Sequence, residues 1–246
     1  MTCRIGILGF GRFGKLMARN LAADFDVRVC DPAAAETDVH SAGARPADLA
    51  GVGESDVVVL AVPISGMKAA LQEVRPHLRA GRLVVDVCSV KERPIRWMQD
   101  VLPGDVEILG THPMFGPDSA ADSLQGRKIV LCRVRVEAER YEKIRRYLAS
   151  KGLAVIETSA AAHDRQIAVS LALTHFIGRA LAGMGAKPQD IDTEGYRRLL
   201  RILEVVENDT WQLFEDMNRF NAHAEKARQA FIESLQTIEQ KLRVLH

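Results

Sequence analysis

Arg4-Ile5-Gly6-Ile7-Leu8-Gly9-Phe10-Gly11-Arg12-Phe13-Gly14 is a short apolar run of strand type that ends in G-x-G-x-x-G and passes directly into helical spacing over residues 15–23. Strand character resumes over 27–30, so the chain opens as a βαβ unit. In that setting each glycine has a separate task. Gly9 permits the tight turn, Gly11 lets backbone approach a pyrophosphate, and Gly14 allows the helix to pack closely on the strand. The helix N-terminus then faces the phosphate charge, with Arg12 and Phe13 in the same cofactor-binding loop. Asp31 ends the second strand 20 positions beyond Gly11, where a carboxylate accepts from ribose hydroxyls. A dinucleotide is the expected cofactor. A carboxylate at 31 repels a 2′-phosphate, which favours NAD; Arg12 or Arg28 swinging toward such a phosphate keeps NADP as the alternative.

Working outward, apolar runs at 57–62, 83–87, 106–109 and 129–134 alternate with helix-compatible segments around 66–78 and 94–101. A mostly parallel, doubly wound sheet of Rossmann type accommodates them. After a last strand at 154–157 the pattern changes, and 160–184, 193–207 and 211–245 all read as helices. The expected class is therefore α/β: a dinucleotide-binding domain over 1–157, then an all-helical domain over 158–246. In the final helix Ala227, Ala230, Phe231, Leu235, Ile238 and Leu242 fall on one face. That stripe fits packing within its own subunit and fits a dimer contact equally well.

The bulk numbers narrow the partners. Lys plus Arg at 33 against Asp plus Glu at 32 leaves a net charge of +1, which argues against nucleic acid or an anionic membrane surface and for a small molecule. Cys3, Cys30, Cys88 and Cys132 stand singly, with no CxxC pair and no histidine at ligand spacing, so they read as buried, reduced thiols and no metal site is expected. The N-terminus runs straight into a strand pattern, and no apolar stretch approaches the ~20 residues of a membrane span, so a cytoplasmic protein is expected.

Two clusters carry candidate chemistry. Asp86-Val87-Cys88-Ser89-Val90-Lys91 lies at the carboxyl end of one strand, and Gly110-Thr111-His112-Pro113-Met114-Phe115-Gly116-Pro117 at the end of the next. Ligands of open α/β sheets bind outside such strand ends, so Ser89 and His112 are both expected at the nicotinamide end, with Lys91 delivered to the same edge.

These strings, together with Asp118-Ser119, Ala162-His163-Asp164, Thr174-His175-Phe176-Ile177-Gly178-Arg179 and Gly195-Tyr196, resemble the motifs of prephenate/arogenate dehydrogenases, especially the branch that includes the plant arogenate dehydrogenases. The resemblance runs over essentially the whole chain. It implies oxidative decarboxylation of arogenate or prephenate on the way to tyrosine, a helical C-terminal dimerisation domain and hence a homodimer. It implies that His112 takes the proton of the ring C4 hydroxyl while Ser89 orients the histidine or that hydroxyl. Arg201, six residues after Gly195, matches a carboxylate-binding arginine of bacterial members, although plant-type members tend to carry lysine there. His175 is implied as a substrate contact, whereas His163 reads as structural. Lys91 joins the substrate set, and Asp122 matches an acidic residue of members that prefer arogenate. Without the resemblance Asp122 reads as a cap for a turn or helix beginning near Ser123. Gly178 departs from the pattern, because other bacterial members have a second histidine there.

Two other readings compete. A reductase of the β-hydroxyacid or imine type shares the architecture but typically carries a lysine in the first helices of its second domain, and none occurs between Ser159 and Gly185. A nicotinamide-binding regulatory module would bind cofactor without turnover; Ser89, His112 and Arg201 together argue against it.

Overall fold

The computed structural model describes residues 3–244, and contacts divide the chain into two compact units that meet at Ala161/Ala162. The first unit runs β1 (Arg4–Leu8), α1 (Arg12–Leu21), β2 (Asp26–Cys30), α2 (Glu36–Ser41), β3 (Arg45–Pro46), α3 (Leu49–Gly53), β4 (Val57–Leu60), α4 (Met67–Val74), β5 (Leu83–Asp86), α5 (Glu92–Val101), β6 (Glu107–Pro113), β7 (Lys128–Arg135), α6 (Ala138–Ser150) and β8 (Ala154–Glu157). The strand order is β3-β2-β1-β4-β5-β6-β7-β8. All neighbours are parallel except β6 and β7. The chain winds outward from β1 in one direction and from β4 in the other, so the crevice of a doubly wound sheet lies at the carboxyl ends of that pair.

The central strands read as unbroken apolar runs because they are covered on both faces. On one face Val58, Leu60, Val84 and Ile108 are wholly buried, along with Met67, Leu71, Val74 and Met98 from α4 and α5. On the other, Ile5, Ile7, Val59, Leu83, Leu109 and Leu131 share a core with Ala18 of α1 and Tyr141 of α6. Between those two helices an apolar hollow of about 730 Å³ remains over the middle strands, lined by Phe13, Met17, Val57, Val85, Phe115 and Ile144.

The second unit, described from Ala162, continues α7 (Ala160–Ile167) into one π-helical stretch, Ala168–Leu173, followed by α8 (Thr174–Gly183), α9 (Glu194–Glu207), α10 (Trp211–Arg219) and α11 (Ala224–Arg243). The helix expected over 211–245 is broken after Arg219. There Asn221 is buried, accepts from His223 N at 2.9 Å and donates to the Asp164 carbonyl at 2.9 Å, which turns the chain. Among the described residues no helix is long and apolar enough to cross a membrane, and no trio of His, Cys, Asp or Glu is grouped for a metal ion. All four cysteines are free thiols, but only Cys88 and Cys132 are buried; Cys3 and Cys30 are half-buried, near the strand ends.

Gly178 sets how closely α8 meets α9. A Cβ built there would lie 2.7 Å from Val206 Cγ1 and 3.1 Å from Cγ2, so a larger side chain would collide with α9. Gly178→Ala should lower the unfolding free energy by about 1–3 kcal/mol, the ordinary cost of overpacking. A denaturant midpoint equal to that of the unmodified chain would show that the helices yield freely.

Candidate active site

The cofactor end is shaped by backbone sterics. Gly9 has φ of 100°, and a Cβ there would meet the Ala61 carbonyl oxygen at 2.5 Å; a Cβ on Gly14 would meet the Gly9 carbonyl oxygen at 2.4 Å. Gly11 has nothing within 4 Å of its Cβ position, which leaves open space over the first turn of α1. That turn carries no acidic residue, and its cap, Gly11, offers no side-chain acceptor. The positive end of a ten-residue helix therefore faces a space that suits a diphosphate. Asp31 is held at the same rim: Oδ2 accepts from Phe10 N at 2.6 Å and Oδ1 from Ala33 N at 2.8 Å. Each oxygen keeps a second lone pair for a ribose hydroxyl. The two cations weighed for a 2′-phosphate have carboxylate neighbours. Arg12 Nη2 reaches Asp118 Oδ1 at 2.5 Å, and Arg28 lies 3.9 Å from Asp26. The rings of Phe13 and Phe115 stand 6.2 Å apart, a second contact between the glycine loop and the segment after β6.

The reaction end is built from β5 and β6. His112 is buried and sits within β6, not in a loop: the strand continues to Pro113 because β7 pairs with it there, Val130 opposite His112. Ser89, in the turn after β5, has a buried Oγ with no hydrogen-bond partner, so the structure does not join it to His112. An unsatisfied buried hydroxyl is costly and awaits a ligand group. Lys91, expected among the substrate ligands, lies in the interior. It is wholly buried, and its Nζ donates to Asp86 Oδ1 and to the Thr111 carbonyl. Asp86 also accepts from Cys88 N at 3.0 Å, and its carbonyl takes the Thr111 hydroxyl at 2.6 Å. The acid five positions before Lys91 is the sequence signal for this pairing. Asp122 is exposed in an irregular stretch, and no helix begins near Ser123 for it to cap.

In the second unit His175 is 1% exposed, with Nε2 3.6 Å from Asp209 Oδ2 and Nδ1 buried without a partner. Arg179, one turn on, donates to the Asp209 carbonyl and stacks over Trp211 and Phe214, a cluster that periodicity did not reveal. His163 is buried, its Nδ1 2.7 Å from Asp164 Oδ1, and Asp164 in turn is tied to Asn221 through its carbonyl. Arg201 is exposed on α9 and has no ion-pair partner among the described residues.

Comparison with known proteins places these features in company. Residues 27–157 match the model of the prephenate dehydrogenase nucleotide-binding domain, and residues 180–245 match that of the TYRAAT1-like C-terminal domain. The chain is 34% identical to the chloroplastic arogenate dehydrogenase 2 of Arabidopsis thaliana over 90% of its length, and 31% identical to arogenate dehydrogenase 1 of the same plant over 95%. It spans 64% and 39% of those two relatives' own lengths. Its fold is that of a prephenate dehydrogenase from A. aeolicus, solved with hydroxyphenyl propionate and NAD+, at a TM-score of 0.78 and 20% identity, covering 98% of this chain and 91% of that one.

Burial pushes the His175 imidazole below its ordinary pKa of 6.5, opposed by Asp209 and aided by Arg179. The folded state therefore binds fewer protons there than the unfolded state. Its contribution to stability is complete above pH 6.5 and is lost as pH falls through the lowered folded value. The unfolding midpoint should drop between pH 7.5 and the acid side of that window, and less so in His175→Gln. An identical pH slope in the variant would clear His175 of the effect.

Proposed function

Because the chain belongs to the prephenate/arogenate dehydrogenase family, in the branch of the plant-type arogenate dehydrogenases, we propose that it oxidises and decarboxylates arogenate to tyrosine, with prephenate as the alternative acid. The observation that carries this reading is the partnerless Ser89 hydroxyl at the end of β5, with buried His112 at the end of adjacent β6 and the open cradle at Gly11 on the same sheet edge.

In this mechanism a His112 ring nitrogen takes the proton of the ring C4 hydroxyl, and Ser89 Oγ hydrogen-bonds that hydroxyl to aim it. A bound nicotinamide supplies the acceptor for the hydride leaving C4. The chain's further task is to orient the acid so that the C1 carboxylate departs as carbon dioxide and the ring becomes aromatic. Arg201, exposed and unpaired among the described residues, holds a substrate carboxylate, and His175 is the further substrate contact. Asp122, exposed and without a cap to serve, pairs with the ammonium that distinguishes arogenate from prephenate. NAD is the preferred cofactor: the Asp31 carboxylate repels a 2′-phosphate, and Arg12 is engaged by Asp118. The subunits pair through α11, where Ile232, Leu235, Ile238 and Leu242 stand 39%, 50%, 54% and 54% exposed along one helix. Four free thiols suit a cytoplasmic setting.

Catalytic efficiency for both acids with both cofactors tests the reading. His112→Asn should lower kcat by roughly 10²–10⁴-fold with cofactor affinity kept, as for loss of a general base, and near-normal turnover would remove His112 from that role. Asp122→Asn should shrink or reverse the preference for arogenate; unchanged selectivity returns Asp122 to a surface residue. Light scattering should give about twice the 27.1 kDa chain mass, and a fully active monomer refutes the pairing.

A further inference from the structure

The pair Asp86–Lys91 is an ion pair with both side chains at zero exposure, which is rare for lysine and aspartate. Apolar residues of similar volume commonly replace such a pair without loss of stability, so packing alone gives no reason for it. Its geometry does. The ladder between β5 and β6 ends at Asp86 opposite Gly110. Immediately past that point the Lys91 ammonium donates to the Thr111 carbonyl, and the Thr111 hydroxyl returns a bond to the Asp86 carbonyl at 2.6 Å. The ammonium thus stands in for the next strand donor. That carbonyl belongs to the peptide joining Thr111 to His112, so holding it fixes the plane from which the imidazole departs. The same ammonium meets Asp86 Oδ1, which also takes Cys88 N at 3.0 Å, and the turn carrying Ser89 is closed between its two ends. Burial raises the Asp86 carboxyl above its ordinary value, against the opposing pull of Lys91 and of the Cys88 N–H.

We propose that Asp86 and Lys91 are positioning residues: one buried ammonium fixes the separation of Ser89 from His112 without touching substrate. The proposal rests on the catalytic reading of those two residues. A misplacement on the ångström scale is enough to cost about 10²-fold in rate.

The test uses the double variant Asp86→Leu/Lys91→Met, which removes both charges together, with the single Lys91→Met beside it. Each is followed by thermal unfolding, NAD affinity, kcat and KM for both acids, and the ¹⁵N resonances of the His112 ring in the cofactor-free protein. The expected result is an intact fold, NAD affinity within about threefold of the unmodified chain, kcat lowered by about 10–100-fold with KM little changed, and shifted or broadened His112 ring signals. Unchanged kcat and unchanged ring signals in a folded variant would overturn the proposal. So would a rise of more than about tenfold in KM at constant kcat, which would make Lys91 a substrate ligand. If neither variant folds, Thr111→Val deletes the cross-strand hydroxyl and carries the same readouts, with the same two results deciding. Should the unmodified chain turn over neither acid, the proposed function fails, while the His112 ring signals still decide whether the pair positions that residue.

Discussion

The packing of Gly14 against the Gly9 carbonyl is the constraint on which the rest of the sheet edge depends. With a Cβ on Gly14 only 2.4 Å from the Gly9 carbonyl oxygen, α1 can start over the end of β1 only if both positions lack side chains. That start leaves the N–H groups of the first turn facing the open space at Gly11. It also brings Phe10 N within 2.6 Å of Asp31, which ties the end of β2 to the loop, while Ala61 at the end of β4 closes the other side of Gly9. Three strand ends and one helix end are thereby fixed by two steric contacts at glycine and one hydrogen bond.

Such constraints are legible in sequence because they are written in residue types that have few other uses. The glycine spacing, the continuous apolar strands and Asp31 all fell where the sequence placed them. What periodicity passed over has weaker writing. Helix α6 has only Tyr141 fully buried in a segment rich in Glu and Arg, so its apolar stripe is thin. β3 is a two-residue edge containing Pro46, below the length at which alternation can be counted. The turn at Asn221 has neither glycine nor proline, and only its bond to the distant Asp164 carbonyl explains why the helix stops.

At the candidate site the line between legible and hidden falls at burial. Ser89 and His112 were identified from strand-end position, and both stand at strand ends. Lys91 could not be placed that way. A lysine in a loop-like string reads as exposed, and the fact that reverses this is tertiary: the Thr111 carbonyl arrives from a strand 20 residues later in the chain. His175 is a similar case, since its environment is set by Asp209 and Arg179, which belong to other turns of the helical unit. Asp122 is the converse, a residue whose type suits a cap although no helix follows it.

The Arg12–Asp118 and Asp86–Lys91 ion pairs both lie by the carboxyl end of β6, and their surroundings differ. Arg12–Asp118 spans the glycine loop and the stretch after β6 with side chains 50% and 57% exposed, where solvent screening leaves an ion pair worth at most about 1 kcal/mol. Asp86–Lys91 has no solvent to exchange with, and losing either partner strands a buried charge. The same kind of charge pair is thus exposed and screened at the rim and buried and unscreened beneath the strand ends.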